Sequence, residues 1–323
     1  MTQNRPTWAV VATVDEPPAL VQVFVDWYRR LGASEIFLYF DQPDDPAATG
    51  LPDMVTVCRC DADHWARLGK RRPEKHQIRQ LRNATDAYRN MQSDWLLHVD
   101  ADEYLWATQP VADCLTRFDA TTDCAIVPVA ERVFVAEQAH VPLAGPFRRP
   151  FTGAVAQGRA LFGPDYALSL RGLTGHAIGK SFTRAGQELE ISIHRPRYLK
   201  SAPDRDVKME RASGLDLLHF DGLTRLHWVY KLLRKADAYL NHNGMEPSPH
   251  RQRQITAVLQ DRAAAYALHD RLKLMNDATL QQLDTLGLLL DPPFDPLAGT
   301  GVSLTSDDVD DWLRHKGLDL MGL

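Results

Sequence analysis

Acidic side chains cluster where an apolar run ends in the segment WLLHVDADEYLW, Trp95 to Trp106. Asp100, Asp102 and Glu103 place three carboxylates within four residues, and like-charge repulsion makes such packing unfavourable unless a cation relieves it. Mg²⁺ and Mn²⁺ prefer carboxylate oxygens and typically take one or two of them together with phosphate oxygens. In an extended chain the i, i+2 spacing turns Asp100 and Asp102 to the same side. The pattern predicts a Mn²⁺ or Mg²⁺ site at which the ion stabilises a departing phosphate as a Lewis acid. An exposed acidic turn that only ends the strand is the alternative.

Three histidines lie in or just after a loop-rich part of the chain and are further candidate ligands. Neutral imidazole can complete the coordination of a Mn²⁺-type ion, and we rank His219 first and His194 second, with His176 as the third candidate. A structural or surface role is the alternative for each of them. Lys180, in GHAIGKSF, is a candidate phosphate or substrate contact, and Gly175 and Gly179 beside it permit a close approach of the backbone.

A basic stretch precedes the acidic segment. Residues 70–82, KRRPEKHQIRQLR, carry seven basic side chains when the histidine is included. Most of them are expected on a solvated helix face, while one or two could neutralise a diphosphate. The chain contains no G-x-G-x-x-G and no G-x-x-x-x-G-K-[ST] segment, so dinucleotide and P-loop chemistry lack their sequence signatures.

The elements that must position these residues alternate between strand-like and helix-like runs in the first third of the chain. Such alternation predicts βαβ units and a mostly parallel sheet, whose ligands lie beyond the carboxyl ends of the strands. Acidic groups follow three of the predicted strands: Asp15 with Glu16, then Asp41, then Asp100 with Asp102. The predicted strands are 8–14, 36–40, 54–58, 95–99 and 124–129, and the predicted helices are 19–31, 74–91 and 110–118.

Periodicity weakens after residue 130. Prolines and glycines punctuate residues 131–222, and the pattern then predicts helices at 223–240, 251–272, 279–290 and 306–316. We therefore expect a nucleotide-binding and catalytic domain at 1–222, with an irregular acceptor side at 131–222, and a helical region at 223–323 packed on it. The basic residues of helix 223–240 suit either contact with a membrane surface or the outer face of an ordinary core-facing helix.

Composition excludes several classes of protein. The 323 residues carry a formal charge of −5, so the basic surplus of a dedicated nucleic-acid binder is missing. There is no apolar run of the length that spans a membrane, and we expect a cytoplasmic protein, at most peripheral at the inner membrane face. The four cysteines, Cys58, Cys60, Cys114 and Cys124, form no zinc pattern and indicate reduced, mostly buried thiols.

Taken in order, five segments resemble bacterial family 2-like glycosyltransferases with a GT-A fold. The opening VVATVDEPPALVQVFVDWYRRLGASEIFLYFD is similar to the start of those proteins, although many of them have Asn-Glu where this chain has Asp15-Glu16. DWLLHVDADEYLW matches their W-x-x-x-x-D-x-D-E-[FY]-L segment, and GKSFTRAG, IHR and GLDLLHFDG match landmarks further along the chain. The resemblance covers residues 8 to 235.

The resemblance implies an α/β fold of GT-A type: a Rossmann-like, mostly parallel sheet flanked by helices, with a C-terminal helical extension. It implies a nucleotide-sugar donor, UDP- or GDP-linked, and Mn²⁺ or Mg²⁺. Asp102 would be the more direct metal ligand of the DxD pair, and Asp100 would lie nearer the ribose or a metal-bound water. Glu16 and Asp41 match acidic positions near the nucleoside pocket, and His219 would be the distal contact to metal or diphosphate.

The implied reaction is transfer of a hexosyl-type sugar to an acceptor hydroxyl with inversion at the anomeric carbon. A carboxylate must then take the hydroxyl proton within hydrogen-bond reach, and Glu131 leads the candidates, followed by Asp206 and Glu210. The acceptor is an unknown glycan, lipid or small molecule. A nucleotidyltransferase, or a non-catalytic nucleotide-sugar-binding protein of the same fold, is the alternative.

Overall fold

The computed structural model describes residues 5–138, 140–199, 206–241 and 245–316. Its contacts divide the chain into two compact units. Unit 1 comprises Met1–Pro128 and Ile178–Leu217, and unit 2 comprises Val129–Ala177 and Leu218–Leu323. Residues 129–177 thus group with the C-terminal helices, whereas the expected domains divide at residue 222; that expected division stays a prediction.

Short strands and helices alternate along unit 1, as the sequence pattern predicts. The strands, in chain order, are β1 (Trp8–Val14), β2 (Glu35–Phe40), β3 (Val55–Arg59), β4 (Trp95–His98), β5 (Glu103–Ala107), β6 (Cys124–Val127), β7 (Val129–Arg132), β8 (Phe147–Arg148), β9 (Lys180–Arg184), β10 (Leu189–Glu190), β11 (Arg197–Tyr198), β12 (Met209–Arg211), β13 (Leu215–His219) and β14 (Leu289–Leu290). The helices are α1 (Pro18–Arg30), α2 (Ala62–Arg67), α3 (His76–Asn90), α4 (Val111–Leu115), α5 (Val155–Phe162), α6 (Arg225–Asn241), α7 (Pro249–Gln260), α8 (Ala265–Lys273), α9 (Asp277–Thr285) and α10 (Ser306–His315).

A seven-stranded sheet forms the centre of unit 1, in the order β12-β6-β9-β4-β1-β2-β3. Strands β4, β1, β2 and β3 are parallel neighbours, and β12 is parallel to β6. Strand β9 is antiparallel to both of its neighbours, β4 and β6. The predicted α/β class with a mostly parallel, helix-flanked sheet and helices toward the C-terminus is confirmed.

The apolar run of β1 is buried over its whole length because helices cover both faces of the sheet. On one face, Trp8 and Tyr28 of α1 meet edge to face with ring centroids 6.3 Å apart. On the other face, Val11 belongs to a core cluster with Ala84 and Ala87 of α3. A strand that is buried on both faces must be apolar throughout, which explains why β1 lacks the alternation of a half-exposed strand.

The order of the strands reverses beside β1. The chain proceeds outward from β1 to β2 and β3, and then returns to place β4 on the opposite side of β1. In open α/β sheets such a reversal leaves a crevice outside the carboxyl ends of the two strands, and ligands bind there. The topology therefore singles out the segments that follow β1 and β4.

Unit 2 contains a small antiparallel arrangement in which β8 pairs with β7 and with β14. Helices α6, α7 and α8 pack around the buried Trp228. The predicted single helix over 251–272 is wrong, because α7 ends at Gln260 and the Asp261 side chain accepts a hydrogen bond from the Ala264 N–H at 3.1 Å. A local side-chain bond of this kind competes with helix continuation. Within the described residues, no helix combines the length and the apolarity that a bilayer crossing requires.

The buried central strand should tolerate truncation poorly. We expect Val10→Ala in β1 to lower the free energy of unfolding by about 2 kcal/mol, because the lost methyl groups are fully buried. The matched change Val57→Ala, on edge strand β3 where the valine is 37% exposed, should lower it by less than about 0.5 kcal/mol. Urea unfolding monitored by circular dichroism measures both. Equal losses for the two variants would contradict the assignment of β1 to the core.

Candidate active site

Acidic side chains follow three neighbouring parallel strands at the same edge of the unit 1 sheet. The Asp41 N–H, just after β2, donates to Val14 O at the end of β1 at 3.0 Å, and the Val99 N–H, just after β4, donates to Val11 O at 3.1 Å. The segments that carry Asp15 and Glu16, Asp41, and Asp100 with Asp102 therefore leave the sheet side by side, as the sequence pattern predicts.

The DxD pair lies in a tight turn. The Glu103 N–H donates to the Asp100 carbonyl oxygen at 3.0 Å, and the Asp100 N–H donates to Glu103 Oε2 at 2.8 Å. The expectation of an extended backbone at Asp100 and Asp102 is wrong for this reason, and their side chains do not simply share one side of a strand. Asp102 is buried, whereas the side chain of Asp100 is 34% exposed.

The ammonium group of Lys180 lies among these carboxylates. Its Nζ is 3.2 Å from Asp100 Oδ2 and 3.1 Å from Glu103 Oε2, and both Lys180 and Glu103 are fully buried. Burial opposes the charge on Lys180, but the charges and hydrogen bonds of Asp100 and Glu103 outweigh it and raise the lysine pKa. Gln80 Nε2 donates to Asp100 Oδ1 at 2.8 Å. Lys180 thus supplies part of the countercharge that the acidic segment requires, and its predicted contact with phosphate stays a prediction.

The donor set still fits a hard divalent cation. Three carboxylates, Asp100, Asp102 and Glu103, against one ammonium leave a formal charge of −2 at the end of β4. Burial raises the pKa of Tyr104, and the charges of Asp102 and Glu16 raise it further, so both carboxylates lie close to this one phenol. Oxygen ligands of this kind suit Mg²⁺ or Mn²⁺.

Asp41 is held by two arginines from the basic stretch. Arg79 donates to both carboxylate oxygens, each at 2.7 Å, and Arg72 Nη2 lies 3.2 Å from Oδ1. Burial disfavours the charged carboxylate, but the hydrogen bonds and charge of Arg79, with His76 and Arg72, lower the Asp41 pKa below its usual value. Two of the seven basic side chains therefore fix Asp41, and sequence analysis alone did not indicate this pairing.

Glu131 lies in unit 2 within a buried network. Its Oε1 accepts from the Thr174 N–H at 2.8 Å and from Arg148 Nη2 at 3.1 Å, and its Oε2 accepts from the Gly175 N–H at 2.6 Å. Burial raises its pKa, but Lys273 and Arg148 outweigh burial and lower the pKa to about 2. A carboxylate with so low a pKa accepts a proton weakly, so these contacts favour a structural role over the predicted role of general base.

His219 also lies in unit 2, where it is buried beside His176. The two ring centroids are 4.8 Å apart. A Cβ atom added at Gly175 would lie 2.6 Å from His219 Cε1 and 3.0 Å from Glu131 Oε2, so the absence of a side chain there lets the three groups pack together. The predicted close backbone approach at Gly175 is confirmed, and metal binding by His219 stays a prediction.

The remaining candidates lie in unit 1. His194 Nδ1 is 2.8 Å from the Gly179 carbonyl oxygen, which makes Nδ1 the protonated nitrogen of a neutral ring. Glu210, on the edge strand β12, accepts a hydrogen bond from the Thr122 hydroxyl and lies 3.7 Å from Lys208 Nζ. Asp206 is exposed. Sequence analysis missed the part of Gln80, which is one polar side chain of α3 with no distinguishing spacing.

No protein-family model and no curated protein matches the chain. Solved structures with distant similarity include GalNAc-T7 with UDP, GalNAc and Mn²⁺, at 11% identity and a TM-score of 0.32 over 88% of this chain and 57% of that one. TarS 1–349 of S. aureus has 14% identity and a TM-score of 0.31 over 87% of this chain and 79% of its own. CMP:2-keto-3-deoxy-manno-octonic acid synthetase with CTP has 14% identity and a TM-score of 0.26 over 42% and 61%. These likenesses assign neither a family nor a function to the chain.

Removal of the buried ammonium should destabilise unit 1 in a pH-dependent way. We expect Lys180→Met to lower the free energy of unfolding at pH 7.5 by about 3–5 kcal/mol, because Glu103 keeps its charge without a partner. In this variant burial raises the folded-state pKa of Glu103 above its unfolded value near 4.3, so stability falls as the pH rises past that value. The loss should therefore be smaller at pH 4.5. Urea unfolding at the two pH values measures it.

Lys208→Met is the matched control, since the Lys208 ammonium pairs with Asp119 at an exposed site. This variant should change stability little at either pH. A Lys180→Met loss that does not depend on pH would contradict the argument from charge.

Proposed function

We propose that the chain is a metal-dependent glycosyltransferase that moves a sugar from a nucleotide-sugar donor to an acceptor hydroxyl. The observation that carries this proposal is the convergence of carboxylates behind β1, β2 and β4, at the reversal of strand order in a mostly parallel sheet. Such an edge is where α/β sheets bind ligands. The resemblance of the DxDE segment and its flanking segments to family 2-like glycosyltransferases supports the same assignment.

In this proposal Asp100 and Asp102 bind Mn²⁺ or Mg²⁺ together with the diphosphate of the donor. The remaining formal charge of −2 at the end of β4 attracts a divalent cation, while Lys180 keeps the carboxylates from repelling one another. A bound metal would supply Lewis-acid stabilisation of the leaving diphosphate. Gln80 orients Asp100 through Oδ1, so that the carboxylate is held in one direction before a ligand binds.

Glu16 and Asp41 are proposed to contact the nucleoside. Both follow strands that neighbour the DxD strand in the same sheet. Arg72 and Arg79 keep Asp41 ionised and fixed, which suits it to accept a hydrogen bond from a ribose hydroxyl. A UDP- or GDP-linked donor and inversion at the anomeric carbon belong to the proposal through the sequence resemblance. The acceptor proton is not assigned to Glu131, because that carboxylate is buried and engaged.

Binding of a nucleoside diphosphate should depend on a divalent ion. We expect UDP or GDP with Mn²⁺ to raise the melting temperature of the protein, with a stabilisation of about 2.7 kcal/mol at a ligand concentration of 100 times Kd. The same nucleotide without Mn²⁺ should have a much smaller effect. The double variant Asp100→Asn/Asp102→Asn should lose the metal-dependent part of the shift. Differential scanning fluorimetry with UDP, GDP, CDP and ADP measures it.

The control replaces two exposed aspartates of the same unit, in Asp53→Asn/Asp119→Asn, which should keep the shift. Metal-linked binding that survives in the Asp100/Asp102 variant would refute the site. Incubation of the wild-type protein with nucleotide-sugars should release nucleoside diphosphate. Formation of pyrophosphate from a nucleoside triphosphate and a sugar phosphate would instead identify a nucleotidyltransferase, and nucleotide binding without turnover a binding protein.

A further inference from the structure

A cysteine, a histidine and an asparagine lie in line beside the edge strand of the unit 1 sheet. Cys58 Sγ, in β3, is 3.2 Å from His64 Nδ1, in α2. His64 Nε2 is in turn 3.0 Å from Asn83 Oδ1, in α3. A nucleophile, a base and a third group that orients the base, each within hydrogen-bond reach of the next, form the arrangement that activates a thiol. The proposed transferase chemistry does not use this cluster.

The hydrogen bonds of Asn83 fix the protonation of the histidine. Asn83 Nδ2 donates to Thr13 Oγ1 at 3.0 Å and to Cys60 Sγ at 3.5 Å, so the amide oxygen is turned toward His64. His64 Nε2 must then carry the hydrogen that this oxygen accepts. The lone pair of a neutral ring consequently lies on Nδ1, where it can take the proton of the Cys58 thiol.

The charged groups around Cys58 favour its thiolate. Arg67 Nη2 lies 3.3 Å from His64 Nδ1, and Arg67 also binds both oxygens of Asp86, at 2.9 and 2.7 Å. Tyr39, opposite Cys58 on strand β2, donates to Asp86 Oδ2 at 2.8 Å, so this carboxylate is neutralised from two sides.

A hydrogen bond from Cys60 lowers the Cys58 pKa most; burial opposes this, and His64 and Arg67 lower the pKa further, to about 5. The hydrogen bond to Cys58 and burial raise the pKa of Cys60, which therefore stays a thiol. One of the two neighbouring cysteines is thus the anion and the other is its hydrogen-bond donor.

Cys58 also differs from the other cysteines in its access to solvent. It is partly buried and lines a surface depression of about 410 Å³, while Cys60, Cys114 and Cys124 are buried. Burial raises the pKa of Cys124 to about 11. Small molecules can therefore reach one activated sulfur among the four cysteines. The depression is lined, besides Cys58, by Val57, Arg59, Asp61, Asp63, His64 and Arg67.

We propose that Cys58 is a modification site, at which its thiolate reacts with hydroperoxides to form a sulfenic acid. The Cys58 sulfur attacks the terminal oxygen of the hydroperoxide, an S–O bond forms and the O–O bond breaks. The sulfur is oxidised by two electrons and the peroxide is reduced to an alkoxide, or to hydroxide for H₂O₂. The leaving oxygen takes the proton that His64 received from the thiol, so the products are a sulfenic acid and an alcohol or water.

The pH dependence of alkylation tests the thiolate on the unmodified protein. The native full chain is treated with iodoacetamide between pH 4 and 9, and the label on each cysteine is quantified by peptide mass spectrometry. We expect the Cys58 rate to reach half of its maximum near pH 5, and at pH 6.5 to exceed the rates of the other three cysteines at least tenfold. A half-maximum near pH 8.5, the value of a free thiol, would overturn the proposal.

Two variants test the histidine and the product. His64→Gln should lower the Cys58 rate at pH 6.5 at least tenfold, whereas the exposed His315→Gln should leave it unchanged. Equimolar H₂O₂ followed by dimedone should label Cys58 in the wild-type protein and in Cys114→Ser, and should label nothing in Cys58→Ser. Labelling spread evenly over the four cysteines, or none in the wild-type protein, would refute the site.

Discussion

The ammonium group of Lys180, buried between Asp100 and Glu103, is the interaction on which the candidate active site depends. Three carboxylates that leave one strand together repel one another, and a fully buried Glu103 has no water to screen its charge. Strand β9 brings the lysine to this point because it lies antiparallel between β4 and β6. The one antiparallel strand of the seven-stranded sheet therefore has an electrostatic consequence, since it places a cation where the parallel strands alone place anions.

The same principle recurs in unit 2 with a different result. Glu131 is buried among Arg148, Lys273 and backbone N–H groups, and its oxygens are fully engaged. Asp100, in contrast, keeps part of its side chain in solvent while Lys180 and Gln80 hold it. A carboxylate that is fixed yet partly exposed can bind a ligand, whereas one that is fixed and enclosed stabilises the fold. This contrast supports the assignment of the proposed chemistry to the end of β4.

Much of the fold could be predicted from the sequence, because local patterns determine it. The apolar run of β1 has the bounds that its residues predict, and carboxylates follow the parallel strands as expected. Predictions were wrong where a local hydrogen bond competes with the pattern. Asp261 ends helix α7 through its side chain, and the turn at Asp100 to Glu103 replaces the expected extended backbone. Periodicity does not contain these bonds, since they depend on the direction that the chain takes afterwards.

The sequence by itself determined that carboxylates accumulate behind buried strands and that some cation must relieve their repulsion. Only the tertiary structure decided that Lys180, 77 residues after Glu103, is one such cation, that Arg72 and Arg79 pair with Asp41, and that Cys58, His64 and Asn83 meet. The reason is physical: residue types determine which charges and donors exist, but pairing energies fall steeply with distance, and only the folded chain brings distant residues within a few ångströms.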